Sequence, residues 1–186
     1  MITDKVVVGI AGMPGAGKGI FQKTMKKLGY PVVTMGDAVR EEVLRKNLDP
    51  TPENLGRTML NLREKEGSSA IAKRCIPKLE NLTGPVIVID GIRSLVEVYE
   101  FKKHFPNFVL LAIHASPKTR YKRLVRRKRS DDPKDWETFM ERDQRELGIG
   151  MGSVISVADY MIINEGTIRH LHQKTLTFVG KVLKDE

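Results

Sequence analysis

The sequence is short of cysteine, of aromatic residues and of long apolar runs, and each shortage excludes a class of protein. Cys75 is the single cysteine among 186 residues, which excludes an intramolecular disulfide and leaves a thiolate metal site without a ligand set. The histidines at 104, 114, 170 and 172 have no metal spacing with a matching acid or cysteine, and they read as structural. The longest apolar runs, 85–89 and 108–113, fall far short of the roughly 20 residues that a membrane-spanning helix needs. Internal repeats and low-complexity segments are missing too, and the first residues, Met1–Lys5, lead straight into a strand-like run without a signal-peptide pattern. What is present, 40% apolar and 30% charged residues, suits a cytoplasmic globular protein. We expect one domain over 1–186, able to bury about 70% of its unfolded surface without staples. Met25, Met59, Met140 and Met161 read as core filler.

The net charge of +9 is localised. Eight basic residues and no acid lie between Lys118 and Arg129, which leaves 24 basic against 23 acidic residues elsewhere. A nucleic-acid coat would spread its charge more widely, so this concentrated element suggests a compact anion as partner. The same window holds one aromatic, Tyr121, a poor supply for stacking bases. A nucleic-acid-binding module built on the helix at 118–129 is therefore the weakest of three functional readings.

Hydrophobic patterning alternates strand and helix. Strands are expected at 6–11, 31–34, 86–90, 108–115 and 159–164. Helices are expected at 17–28, at 37–46 with Asp37 as N-cap, at 53–65, 69–79 and 94–104, after Pro117, near 136–147 and from about 168. In the helix after Pro117, Tyr121, Leu124 and Val125 form the expected inward stripe. Gly148, Gly150 and Gly152 mark a flexible turn. This order implies an α/β fold, a parallel five-stranded sheet with helices on both faces. Ligands in such sheets bind beyond the carboxyl ends of the strands, where Gly12, Gly36, Asp90, Ala115 and Asn164 should converge.

The strongest local pattern is Gly12-Met13-Pro14-Gly15-Ala16-Gly17-Lys18-Gly19. Two glycines with four residues between them, the second followed by lysine, between a β-branched strand and a helix, make a P-loop. Backbone N–H groups there can turn toward phosphate oxygens, and Lys18 can reach the terminal phosphates. The residue after Lys18 in such loops is usually Ser or Thr, whose hydroxyl ligates magnesium, but Gly19 and Ile20 offer no side-chain oxygen. Magnesium then depends on phosphates, water and a distant carboxylate, for which Asp90 at the end of a buried strand is the candidate.

Residues 12–19 are similar to the adenylate kinase form of the P-loop, in which glycine after the lysine is usual; Ile20 departs from the threonine expected there. Met35-Gly36-Asp37-Ala38-Val39-Arg40 resembles the Thr-Gly-Asp-x-Leu-Arg segment that holds the acceptor nucleotide in adenylate kinases. Asp90-Gly91-Ile92-Arg93 resembles their Asp-Gly-Phe-Pro-Arg, one residue shorter. Arg129-Ser130-Asp131-Asp132 with Arg142 resembles their lid segment. The run 158–164 is similar to the last strand of dephospho-coenzyme A kinases, whose following loop lies near the nucleotide base. Over residues 6 to about 166 the chain resembles an archaeal group of adenylate-kinase-related, dephospho-coenzyme A kinase-like proteins.

The resemblance implies a P-loop NTPase three-layer sandwich with an acceptor-binding helical insert at about 37–80 and a short helical lid at about 126–145. It also implies a kinase that transfers the γ-phosphoryl group of ATP, or alternatively GTP, to a small nucleotide-like or phosphorylated acceptor with magnesium present. The triphosphate would rest on Gly15, Ala16, Gly17 and Lys18. Arg40 and Arg93 would clamp the acceptor's anion, and Asp37 would bond the acceptor or hold the metal through water. Arg129 and Arg142 would close from the lid. Where adenylate kinases read adenine with a glutamine, the comparable position here is near Glu97, and a carboxylate only accepts hydrogen bonds. With Met35 replacing threonine, weak or absent adenylate kinase activity is expected, Glu97 being either a poor copy of that glutamine or a helix-surface residue. A nucleotide-dependent hydrolase or switch with a protein partner is the alternative from another class.

Overall fold

A computed structural model describes residues 5–129 and 131–184. Ser130 of the expected lid, and the two ends of the expected 1–186 domain, lie outside the described residues. The strands are β1 (Val6–Ala11), β2 (Val32–Thr34), β3 (Val86–Asp90), β4 (Phe108–His114) and β5 (Tyr160–Ile163). They form one parallel sheet in the order β2-β3-β1-β4-β5. The helices are α1 (Lys18–Lys27), α2 (Met35–Arg45), α3 (Pro52–Glu66), α4 (Ala70–Asn81), α5 (Leu95–His104), α6 (Pro117–Arg127), α7 (Trp136–Ile149), α8 (Met151–Ser156) and α9 (Ile168–Val182).

The central strand β1 is apolar without interruption because helices cover both of its faces. Val6, Val8 and Ile10 pack with Phe21 and Met25 of α1 and with Leu171 and Phe178 of α9. Val7 and Ala11 face the opposite way, into a cluster with Val39 of α2, Cys75 and Leu79 of α4, Phe101 of α5 and Val154 of α8. Each fully buried valine or isoleucine contributes about 1.5–3 kcal/mol. Burial also pushes the Cys75 thiol up to about 12, so it stays an inert thiol within this core. Pairing aligns Ile10 with both Asp90 and Leu111. The carboxyl ends of β1, β3 and β4 thus finish side by side.

Local chemistry sets the helix starts on this edge. Ser94 and Glu97 form a reciprocal capping box at α5, and Ser116 caps α6 ahead of Pro117. The parallel five-stranded sheet with helices on both faces is as expected. Several local readings differ. Helix α2 starts directly after β2, with Thr34 as N-cap, so Asp37 sits inside the first turn. Within 148–152 only Gly150 is a linker, in the left-handed region at φ 116; Gly148 lies in the last turn of α7 and Gly152 in α8. Val125 is 37% exposed, whereas Arg120 is buried beside Leu124 on the inner face of α6. Met25 is buried, but Met140 and Met161 are exposed and fill no core. Glu97 is fully buried, not a surface residue: its carboxylate accepts from the backbone N–H groups of Arg93 and Ser94 and pairs with Arg63 at 3.1 Å.

Candidate functional site

The loop between β1 and α1 is shaped by what it touches. Gly12, Gly15 and Gly17 all take positive φ, at 152°, 82° and 119°. A Cβ at Gly12 would fall on the Ile113 carbonyl of β4, one at Gly15 would lie 2.9 Å from the Arg120 carbonyl, and one at Gly17 would fall on the Asn164 amide. Side chains are excluded at these three positions by backbone geometry and by close neighbours together. Asn164, at the end of β5, donates to the Ala16 carbonyl at 2.7 Å. Gly17 provides no side-chain cap to α1, and the first turn of α1 holds no acid. The Lys18 and Gly19 amides that open that helix keep no intrahelical partner, whereas the Ile20 N–H already bonds the Gly17 carbonyl at 2.9 Å; the helix dipole favours an anion. The Ala16 N–H is the exception in the expected cradle, since it closes a turn on the Met13 carbonyl at 3.1 Å.

Lys18 is the first residue of α1. Its ammonium donates to the Gly12 carbonyl and, at 3.5 Å, to the Met13 carbonyl. Burial pushes its pKa down, Asp90 and Glu146 pull it back up, and Arg93 and Arg142 add to the lowering. Those influences place five charged groups in one field at the carboxyl edge of the sheet. Asp90 ends β3. Gln22 of α1 donates to its Oδ2 at 2.5 Å, while Oδ1 is buried with no hydrogen-bond partner. Burial raises the Asp90 pKa against the opposing pull of Lys18.

The expected arginines part company. Arg93 is 43% exposed and reaches Glu146 of α7 at 3.4 Å. Arg142 belongs to the Lys18 field and donates to the Asp131 carbonyl at 2.8 Å and its carboxylate at 3.1 Å. Arg129 is exposed; its backbone N–H donates to the Asp132 carboxylate at 2.9 Å and its carbonyl accepts from the Asp132 N–H at 3.0 Å. Arg40 pairs with Asp37 on the exposed side of α2. Among the described residues no hydrogen bond or ion pair joins that couple to Lys18, Asp90 or Arg93. The start of α2 nevertheless adjoins the site, because a Cβ on Gly91 would lie 3.2 Å from that of Met35. Met13 is buried in the core, Pro14 offers its carbonyl to Arg120 at 3.3 Å, and Gly19 is exposed with open space around it.

A family model described as an AAA domain matches residues 11–140. The UPF0200 protein of Pyrococcus abyssi is 46% identical over 182 residues, covering 96% of this chain and 97% of its own length. The chain belongs to the UPF0200 family and, by the first match, to the AAA domain family. Among solved structures, TT1252 from Thermus thermophilus superposes with a TM-score of 0.68 at 17% identity, covering 95% of this chain and 97% of that one. Shikimate kinase from Bacteroides thetaiotaomicron gives 0.59 at 15% identity, covering 96% and 98%. These likenesses establish that this UPF0200 chain has a P-loop kinase fold. No helix among the described residues is long and apolar enough to cross a membrane.

Four residues that sequence reasoning passed over take part in the site: Arg120, Asp143, Glu146 and Gln22. Arg120 lies four residues before buried Leu124 and so shares its face, and Asp143 lies four after buried Phe139 in the same way. That spacing was a usable signal, masked by the expectation that charged side chains face water. The basic window is correspondingly not one solvated stripe. Arg120 pairs with Asp143, Arg127 with Asp132, and Arg123 donates to the Gly166 carbonyl at 3.2 Å, while Lys118, Lys122, Arg126, Lys128 and Arg129 stay exposed.

Proposed function

We propose that this protein is a phosphotransferase that moves the γ-phosphoryl group of ATP, with GTP as the alternative donor, to a small nucleotide-like or phosphorylated acceptor. The observation that carries the reading is the field of Lys18, Asp90, Arg93, Glu146 and Arg142 in front of a loop whose three positive-φ glycines leave room only for backbone. Positioning and charge neutralisation supply most of the acceleration in phosphoryl transfer. The donor's phosphates rest on the amides of residues 15 and 17–19, and the Lys18 ammonium leaves the Gly12 carbonyl to meet them.

The residues present fit magnesium held partly by the substrate. No group of three metal-ligating side chains exists among the described residues, and Gly19 and Ile20 bring no oxygen. The orphan Oδ1 of Asp90 is an acceptor suited to a metal-bound water, in a carboxylate steadied by Gln22. When bound, the ion supplies neutralisation of phosphate charge. Arg129 and Arg142 neutralise charge from a lid at about 126–145 that excludes water. Arg93 exchanges Glu146 for the acceptor's anion. Asp37 and Arg40 line the acceptor side, in the helical insert at about 37–80. Arg123, held on the loop after β5 with its Nη1 buried and unpartnered, lies where the nucleotide base of the donor is expected.

Glu97 is consumed by its cap and by Arg63, and Met35 is buried, which supports an acceptor other than AMP. A donor-depletion screen over nucleoside monophosphates, deoxynucleotides, dephospho-coenzyme A, shikimate and gluconate tests the reading, with Lys18→Ala as control. Turnover stimulated by one acceptor and lost in Lys18→Ala is expected. Nucleotide binding with only slow hydrolysis, whatever acceptor is added, would favour a switch with a protein partner. Rapid conversion of AMP plus ATP to two ADP would overturn the exclusion of AMP.

A further inference from the structure

Arg120 is the most enclosed charged group of the basic window, 3% exposed in the second turn of α6. Its guanidinium meets three separate chain segments. Nε donates to the Ala115 carbonyl just after β4 at 3.0 Å, and Nη1 donates to the Pro14 carbonyl in the cradle at 3.3 Å. Nη1 and Nη2 grip the Asp143 carboxylate of α7 at 2.7 and 2.5 Å, and the group lies 5.1 Å over the Phe139 ring. A buried ion pair adds little stability over an apolar pair of the same size. What a guanidinium fork adds is direction.

Direction matters at both ends of this contact. A trans peptide is planar, with its C=O and N–H pointing opposite ways, and no cis peptide is present among the described residues. Anchoring the Pro14 carbonyl on Arg120 therefore turns the Gly15 N–H away from α6. Asn164, by holding the Ala16 carbonyl, does the same for the Gly17 N–H. At the other end, Asp143 follows Arg142 and precedes Glu146 by three residues, and both neighbours act on Lys18. Clamping Asp143 fixes the rotation of α7 and with it where those two charges stand.

We infer that Arg120 and Asp143 are positioning residues that couple the cradle's amide orientation to the placement of α7. The inference rests on the phosphotransferase reading and adds to it a physical link between the phosphate site and the lid side. Trp136, the only tryptophan, opens α7 and packs 5.2 Å from the Tyr121 ring and 5.0 Å from the Phe139 ring. Its emission reads the α6–α7 contact directly.

The test uses the full chain with MgATP, followed by calorimetry and by Trp136 emission. Wild type is expected to bind with a saturable emission change whose midpoint matches the calorimetric one. Arg120→Met/Asp143→Leu removes both charges without leaving one buried alone. It should keep its melting temperature within a few degrees, bind at least tenfold more weakly and lose the emission change. Arg120→Lys keeps the charge without the fork and should bind with intermediate affinity, which a purely structural role would not produce. A folded double variant with wild-type affinity and emission change would overturn the link, as would wild-type behaviour of Arg120→Lys if the double variant fails to fold. Tight binding by wild type with no emission change would also overturn it. Failure of wild type to bind MgATP at all would instead bring down the phosphotransferase reading, and this inference with it.

Discussion

The cradle at 12–18 and the segment at 126–146 face each other across the site, yet they are built by different physics. Steric exclusion makes the cradle: three positive-φ glycines are pressed against the Ile113 and Arg120 carbonyls and the Asn164 amide. Ion pairs make the facing segment: Arg127 with Asp132, Arg142 with Asp131, Arg93 with Glu146. Contacts between close-packed atoms are rigid and indifferent to salt, whereas partly exposed ion pairs are screened and contribute little each. A transfer site needs one part that is fixed before the donor arrives and another that can rearrange around it. On the proposed phosphotransferase reading, the two regions would divide that work.

Breaking the cradle should have the largest effect. Gly12→Ala places a Cβ on the Ile113 carbonyl at a backbone angle unfavourable to alanine, and strain plus overpacking should cost about 2–4 kcal/mol in urea unfolding. Binding of MgATP should fall below detection in the same variant. Lys18→Ala comes next. It should weaken MgATP by about a hundredfold or more, the scale of removing a charged contact of about 3 kcal/mol, measured by calorimetry. Its thermal stability should hold or rise, because a buried ammonium that burial already disfavours is removed.

Two aspartates sharpen the contrast through pH. Burial raises the Asp90 pKa, so its carboxylate is protonated above the ordinary aspartate value of about 3.9. The magnesium-dependent part of ATP affinity should therefore fade at a higher pH than protonation of an ordinary aspartate would require, and Asp90→Asn should lack it at every pH. In Asp132 the hydrogen bond from Arg127 lowers the pKa instead. The stability it adds is complete above the unfolded value and is lost only as pH falls through the lowered folded one. Amide exchange at Arg129 and Asp132, whose N–H groups are bonded within this turn, should accordingly stay slow at a pH where the magnesium effect has already gone. The smallest effects are expected from two controls. Arg127→Ala should cost no more than about 1 kcal/mol in urea unfolding, with less penalty at high salt. Gly19→Ala, in open space within α1, should be neutral or stabilising by about 0.5–1 kcal/mol.

The same division explains what could be read in advance from the chain. The cradle, the five strands and most helix limits depend on near neighbours in sequence, and Gly12–Gly19 with its flanking strand and helix carried its own meaning. Asp90 was legible because a buried apolar run ends on it. The facing segment was much less so. Whether Arg142 or Arg129 joins the Lys18 field depends on how α7 packs, which no local pattern encodes. The expected inner stripe of α6 included Val125 and left out Arg120, because the rule that charge faces water outweighed the i, i+4 spacing to Leu124. Glu97 could not be assigned until its buried cap and its pair with Arg63, 34 residues away, were both visible. Asp37 was placed one turn too early in its helix, since the helix begins without a connecting loop after β2.

Calorimetric titration of the full chain with MgATP tests the central claim most directly. The account predicts saturable binding at one site per chain that is lost in Lys18→Ala and retained in Gly19→Ala. Equal binding by wild type and Lys18→Ala, or no heat of binding with ATP and GTP alike, would contradict it.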